Sequence, residues 1–415
     1  MFKIQTRCSV NHKKLSKFLI TIFRIISNVV LLILKGGIIM KFLHLADLHL
    51  GKRIGEYDLN EVQNDILNKL VELSINKDIE AVVIAGDVYD TKDPSKSAVV
   101  LFNDFLTKLN VHKIQVLIIP GNHDQENRLS FGAEIFKKQG IHIVSNVKDS
   151  LTPIKIEDVN FYLLPFVDKY MVRNNFEEAS QITELPEAIS FVIDKMNINK
   201  EEKNVIVSHQ AVLGSKEKNV KPSGSEVSLE IDKDGYIGGE DIISSKLYKD
   251  FNYVALGHIH KAMNIEDNMR YPGALLKYHK DEAGNKKSFT IVDTNDNFSI
   301  ETVEIKPLRD VVHLKGKFDD VKKHNEFEND YVYFTLSDED YLLEPMSKLK
   351  QIFKYAVSVN YDRKINESTA VEENVDVDNI SKLDLFSKLY KDKKGEDLSE
   401  EQICVVKDLI KEIWG

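Results

Sequence analysis

Short apolar runs with an unusual kind of polar ending constrain this chain more than any other feature. KFLHLAD, IEAVVIAGD, QVLIIPGN, KNVIVSHQ and FNYVALGH each carry several largely apolar residues and then close on Asp, Asn or His. VNFYLLPF is a sixth run without such an ending. Near-continuous apolar runs of this length read as strands buried on both faces. Amphipathic stretches at Asn60–Ile75 and Ser95–Leu109 lie between the early runs. Strand and helix therefore alternate, and the fold class is α/β.

In an open α/β sheet the carboxyl ends of the strands line one crevice. The residues delivered there are Asp47 and His49, then Asp87 and Asp90, then Asn122, His123 and Asp124, then His209, and last His258 and His260. A period of two sends His258 and His260 the same way from their strand. Each fragment alone is weak. D-x-H is common, G-N-H-D reads equally as an Asn-containing turn, and an Asp after a strand is often a helix N-cap. Five strand ends carrying such residues together are a metal constellation. Oxygen and imidazole donors without thiolate suit Mn²⁺, Fe²⁺, Zn²⁺ or Mg²⁺ rather than a structural zinc. Seven candidate ligands suit two ions better than one, and a shared carboxylate would hold the pair about 3.5–4 Å apart, as in-line phosphoryl displacement requires.

Composition bounds the rest. The 415 residues are too many for one ordinary core and suggest two or three units. The formal net charge of −10 argues against autonomous tight binding to a nucleic-acid backbone. It does not argue against metal-assisted phosphate chemistry, because bound cations dominate the local field. Cys8 and Cys404 are the only cysteines, which fits a reducing cytoplasm and no disulfide framework.

Residues 1–39 hold seven Lys/Arg and no acidic residue, and Phe18–Leu34 is an apolar run interrupted by Arg24. The segment reads as an upstream mis-assigned start or a dispensable extension, with a membrane anchor through residues 18–34 as the lesser reading. Met40 opens the first strand, and residues 40–306 read as one catalytic domain. Gly214–Gly239, rich in Gly, Ser and Lys, reads as a long loop, and KSFTIVDT and FSIETVEI are expected to close a second sheet. Pro307 marks a boundary. DVVHLKGKF, DYVYFTLS and YAVSVNYD, with a helix in EPMSKLKQIF, make residues 307–365 a small α+β domain. Residues 366–415 comprise an acidic linker, Asn366–Asn379, and terminal helices. Ser399 and Gln402 stand in capping-box positions, ahead of an apolar stripe of Ile403, Val406, Ile410, Ile413 and Trp414. Such a stripe suits packing on its own domain or docking on a partner.

The ordered set D-x-H, G-D-x-x-D, G-N-H-D, a lone strand-end His and G-H-x-H resembles the calcineurin-like metallophosphoesterases. Within them MKFLHLADLHLGK, GDVYDTKDPS, PGNHD, SHQAVLGSKE, NYVALGHIHK and YPGALLKY resemble the bacterial SbcD-type nuclease subunits. The resemblance is strong from Met40 to about Thr294 and looser beyond. It implies a four-layer sandwich, two sheets flanked by helices, with a small α+β cap domain for DNA recognition and C-terminal helices for an ATPase subunit. It implies that Asp47, His49, Asp87 and His260 bind one ion, and that Asp87, Asn122, His209 and His258 bind the other, with Asp87 bridging. The ions are expected to be Mn²⁺, with Mg²⁺ the other choice. His123 would contact the scissile phosphate and stabilise or protonate the leaving oxygen, and Asp90 would orient His123 or only cap the following helix.

The implied activity is ATP-dependent 3′–5′ double-strand exonuclease and single-strand or hairpin endonuclease, in DNA repair, recombination and replication. The implied partners are an SbcC-type coiled-coil ATPase subunit, DNA and a second copy within a heterotetramer. Ala274 departs from the pattern, since such chains often have Ser there. Two other readings compete: a stand-alone binuclear phosphatase or nucleotide phosphodiesterase, and a non-catalytic scaffold that recruits an ATPase.

Overall fold

A computed structural model of the chain describes residues 40–214, 242–295 and 298–362, and in the C-terminal region residues 383, 386–387, 390–391 and 397–414. The N-terminal extension, all of the Gly214–Gly239 segment but Gly214, and the Asn366–Asn379 linker lie outside the described residues. Among the described residues no helix is long and apolar enough to cross a membrane. The described residues up to Asp362 form one compact unit and the described residues after it a second.

Two six-stranded sheets build the first unit. In the first, Lys41–Leu45, Ala81–Ala85, Gln115–Ile119 and Ile141–Ile143 run parallel in that order. The second places Val159–Leu164, Lys203–His209, Tyr253–Gly257 and Met269–Tyr271 parallel, with an antiparallel strand at each edge. Alternate side chains of each strand serve different layers, as a period of two demands. Phe42, Val83 and Leu117 point inward against Phe161, Val207 and Tyr253 of the other sheet, all fully buried. The Phe42 ring meets Phe161 and Tyr253 edge-on, at centroid distances of 5.4 and 5.8 Å. Leu43, Leu45, Val82 and Ile84 point outward into a core closed by the Asn60–Asn76 and Lys96–Val111 helices. The outward face of the second sheet packs on the Leu185–Lys195 helix. The order of layers is thus helix, sheet, sheet, helix.

The Lys96–Val111 helix begins where its sequence asks. Ser95 caps it by accepting from the Ala98 backbone N–H. Ser288–Asp293 and Ser299–Glu304 correct the expectation that they close a second sheet. They extend the first sheet instead, with Ser288–Asp293 antiparallel to Lys41–Leu45. The free edge of Lys41–Leu45 needs a partner, and a pairing across this much chain leaves no local pattern to read.

After Pro307 the three expected strands form their own sheet, Val311–Gly316, Tyr331–Leu336 and Tyr355–Tyr361, all parallel. Parallel neighbours need crossovers, and these carry the short helices Phe318–Val321 and Pro345–Leu349. Phe334, Leu349 and Phe353 fill the core of this cap. Val311, Tyr331 and Tyr333 instead join the outer core of the first sheet, and the Tyr57 hydroxyl donates to the Ala356 carbonyl at 3.2 Å. In the second unit the helix Glu400–Trp414 carries the expected capping box. Ser399 N–H donates to Gln402 Oε1 at 2.9 Å, and Gln402 N–H to Ser399 Oγ at 3.3 Å. Along the stripe Val406 is buried and Ile403 and Ile410 partly so, whereas Val405 and Leu409 are exposed.

Candidate metal centre

The polar strand ends of both sheets meet at one edge of the sandwich. Asp47 and His49 follow Lys41–Leu45, Asp87 follows Ala81–Ala85, and Asn122 and His123 follow Gln115–Ile119. From the second sheet come His209, the last residue of its strand, and His258 and His260. The crevice thus lies between two stacked sheets rather than along one. The turns that present these side chains are strained. Asp47, His49, Asp87 and His258 all have positive φ, at 54, 43, 51 and 99°, and such strain gathers at functional sites. Backbone bonds from Asp47 N–H to the Gly86 carbonyl and from His49 N–H to the Asp87 carbonyl, both 3.0 Å, hold the first two turns together.

Asp87 lies at the middle. Its Oδ2 is 3.7 Å from His49 Nε2 on one side and 3.4 Å from His209 Nε2 on the other, while Oδ1 accepts the His123 backbone N–H at 2.9 Å. Two groups of donors flank it. In one, His49 Nε2 and His260 Nε2 are 3.0 Å apart and Asp47 completes a cluster of donors. In the other, Asn122 Oδ1 lies 3.1 Å from both His209 Nε2 and His258 Nδ1. Asp47 also falls within reach of Asp87 and His209, and its carboxylate accepts the His258 backbone N–H at 3.0 Å.

Close approach explains two glycines. A Cβ on Gly86 would stand 2.1 Å from His209 Nδ1, and one on Gly121 2.2 Å from Asp87 Oδ1. Only a hydrogen fits in either place.

Burial governs the electrostatics. Burial alone would raise the Asp87 carboxyl, but His209 and His49 hold it well below the usual range. His209 is pushed down by burial and carried up past it by Asp87, to about 9. Burial lowers His258 to about 3 and His260 to about 4. His258 and His260 are thus neutral beside ionised carboxylates, as metal ligands must be, whereas His209 carries a proton held by Asp87 that a bound cation would displace. Two imidazole Nε2 atoms face each other at 3.0 Å in a buried pocket beside two carboxylates. That donor set fits divalent cations, and the oxygen and nitrogen chemistry excludes a thiolate-type site.

His123 stands at the rim, half-buried, with Nδ1 donating to the Asp90 main-chain carbonyl at 2.9 Å. Asp90 therefore positions His123 through its backbone. Its carboxylate is paired with Lys52 at 2.7 Å and lies 3.4 Å from His49 Nδ1. It caps no helix either, since Ser95 does that. Asp124 is buried and ties the loops together, its carboxylate accepting from Val88, Tyr89 and Gly121 N–H at 2.9–3.0 Å.

Several residues behind the site went unmarked in the sequence. Gln63, in the first helix, donates to the His49 carbonyl at 2.8 Å and accepts from Gly51 N–H. Glu282 and Lys287 lie behind His260. They sit in a polar stretch whose other residues are exposed or half-buried, so nothing in the sequence marks these two as buried.

A family model described as calcineurin-like phosphoesterase matches residues 40–262, more than half of the chain. A second, the SbcD C-terminal domain, described as the type 5 capsule protein repressor C-terminal domain, matches residues 307–394. Among solved structures the chain is similar to a dimetal phosphatase from Danio rerio, at 12% identity and a TM-score of 0.36, over 64% of this chain and 99% of that one. It is similar to the protein TT1561 of Thermus thermophilus at 11% and 0.36, over 65% of this chain and 100% of that one. The nuclease MPE of Pseudomonas putida matches at 23% and 0.20, over 30% of this chain and 52% of that one.

Proposed function

Because the chain belongs to the calcineurin-like phosphoesterases, and so is a metal-dependent phosphoester hydrolase, we propose that it is the nuclease subunit of an SbcCD-type complex. It hydrolyses DNA phosphodiester bonds as an ATP-dependent 3′–5′ double-strand exonuclease and a single-strand or hairpin endonuclease. One observation carries the reading: Asp87 Oδ2 lies between two groups of donors, Asp47, His49 and His260 on one side and Asn122, His209 and His258 on the other. Those residues would hold two divalent ions, Mn²⁺ by preference, with Asp87 shared. When bound, such a pair supplies a nucleophile at neutral pH and polarises the phosphoryl oxygens.

The chain's own residues do the rest. His123 belongs to neither group, and its Nδ1 is held by the Asp90 carbonyl, which leaves Nε2 as the atom offered to substrate. From the rim it contacts the scissile phosphate and delivers a proton to the leaving oxygen. Asp90 serves it as a backbone anchor, while its carboxylate steadies His49 beside Lys52. The buried turns exclude water from Asp47 and Asp87, which keeps their charge strong toward cations.

The match of residues 307–394 to the SbcD C-terminal domain supports an SbcC-type coiled-coil ATPase as partner. In this reading the cap engages DNA and a second copy completes a heterotetramer. The two-cysteine composition supports a cytoplasmic location. The test is Mn²⁺-dependent cleavage of linear duplex and hairpin DNA beside a small chromogenic diester, with and without the ATPase and ATP. DNA cleavage that rises with partner and ATP is the expected result. Turnover of the small diester alone, indifferent to both, would make the protein a stand-alone phosphodiesterase.

A further inference from the structure

Behind His260 lies a buried ion pair that the proposed chemistry does not use. Glu282 ends a short turn, Lys280–Glu282, and is fully buried. Its Oε2 accepts from Lys287 Nζ at 2.5 Å, its Oε1 accepts the Tyr278 backbone N–H at 3.3 Å, and Oε1 lies 3.7 Å from His260 Nδ1. Lys287 Nζ donates a second bond to the His260 main-chain carbonyl at 2.9 Å. His260 is therefore gripped twice, at its backbone by the lysine and beside its ring by the carboxylate.

Ring orientation follows from that grip. His260 Nε2 faces His49 Nε2 across the site, so Nδ1 points back toward Glu282. A carboxylate behind an imidazole favours the tautomer with hydrogen on Nδ1, which leaves the Nε2 lone pair for a cation. Burying a Glu–Lys pair is a poor route to stability, since apolar residues of similar volume often serve as well. The other side of the site is built differently. His209 Nδ1 donates to a neutral acceptor, the Ala85 carbonyl, at 2.7 Å.

We propose that Glu282, clamped by Lys287, is a positioning residue that holds His260 with Nε2 aimed at the ion site shared with Asp47 and His49, and that it acts on that site and not on the site of Asn122, His209 and His258. The proposal rests on the two-metal reading above.

The experiment titrates chelator-stripped full-length chain with Mn²⁺ in a calorimeter. Wild type should show two binding events. Glu282→Gln, which keeps the shape, should weaken one of them by about 10- to 100-fold and leave the other unchanged. The double variant Glu282→Leu with Lys287→Met removes both buried charges together, so it keeps the fold while losing the grip on His260. It should show the same one-site loss, with thermal unfolding in chelator checking that it is folded. Two unaltered events in either folded variant, or equal weakening of both, would overturn the role of Glu282. Failure of wild type to bind Mn²⁺ at all would instead overturn the two-metal reading.

Discussion

At the scale of single residues, the contrast between two kinds of histidine decides what the sandwich edge can do. His44 lies between the sheets, its ring nitrogens 3.0 Å from the Tyr253 hydroxyl and the Leu256 carbonyl, a satisfied core residue. Burial lowers it to about 3 from an ordinary 6.5. The unfolded chain thus takes up a proton between those values that the folded chain refuses. Stability from this residue is complete above pH 6.5 and drains away as pH falls toward 3, by about 1.4 kcal/mol per unit. Between pH 7 and pH 5, urea unfolding in chelator should show wild type losing about 2 kcal/mol more than His44→Gln. His123 behaves differently, because its ring is half-exposed and only Nδ1 is anchored. His123→Ala should lower kcat on a small diester by about 10²- to 10⁴-fold, with both Mn²⁺ binding events intact by calorimetry. The strand-end residues were legible in the sequence because their types and order are so restrictive. Glu282, Lys287 and Gln63 were not, since they reach the site from stretches with no motif spacing.

At the scale of elements, the strands and helices were readable one by one, while their partners were not. The first two helices begin within a residue of where periodicity places them. All three cap strands also lie where their apolar runs do. Sheet membership is a different kind of information. Ser288–Asp293 belongs beside Lys41–Leu45 because an open edge of buried strand must be covered, and no local feature of either segment says so. The cap is the most dependent element, being three parallel strands over a small core. Phe353 is fully buried and meets Phe334 at a centroid distance of 5.1 Å. Phe353→Ala should destabilise the protein by about 3–5 kcal/mol in denaturant unfolding.

At the scale of the whole molecule, the described residues divide into two compact units, with the metal centre wholly in the first. A chain ending at Asp362 should hydrolyse a small diester as wild type does, yet fail to co-purify with the ATPase or respond to ATP. Retained partner binding by that truncation would move the docking site out of the C-terminal unit. The order in which the first unit is wired has a further consequence. Asp47 and His258 are 211 residues apart along the chain, and Met40 bonds to Thr294 across 254. A ribosome adding ~5–20 residues each second delivers the first ligand roughly 10–40 seconds before the last. Throughout that interval the emerging polypeptide holds only part of its donor set, and its first strand is without one neighbour. The donor set thus cannot be complete until His260 has been added, and the first strand gains its last neighbour only after that.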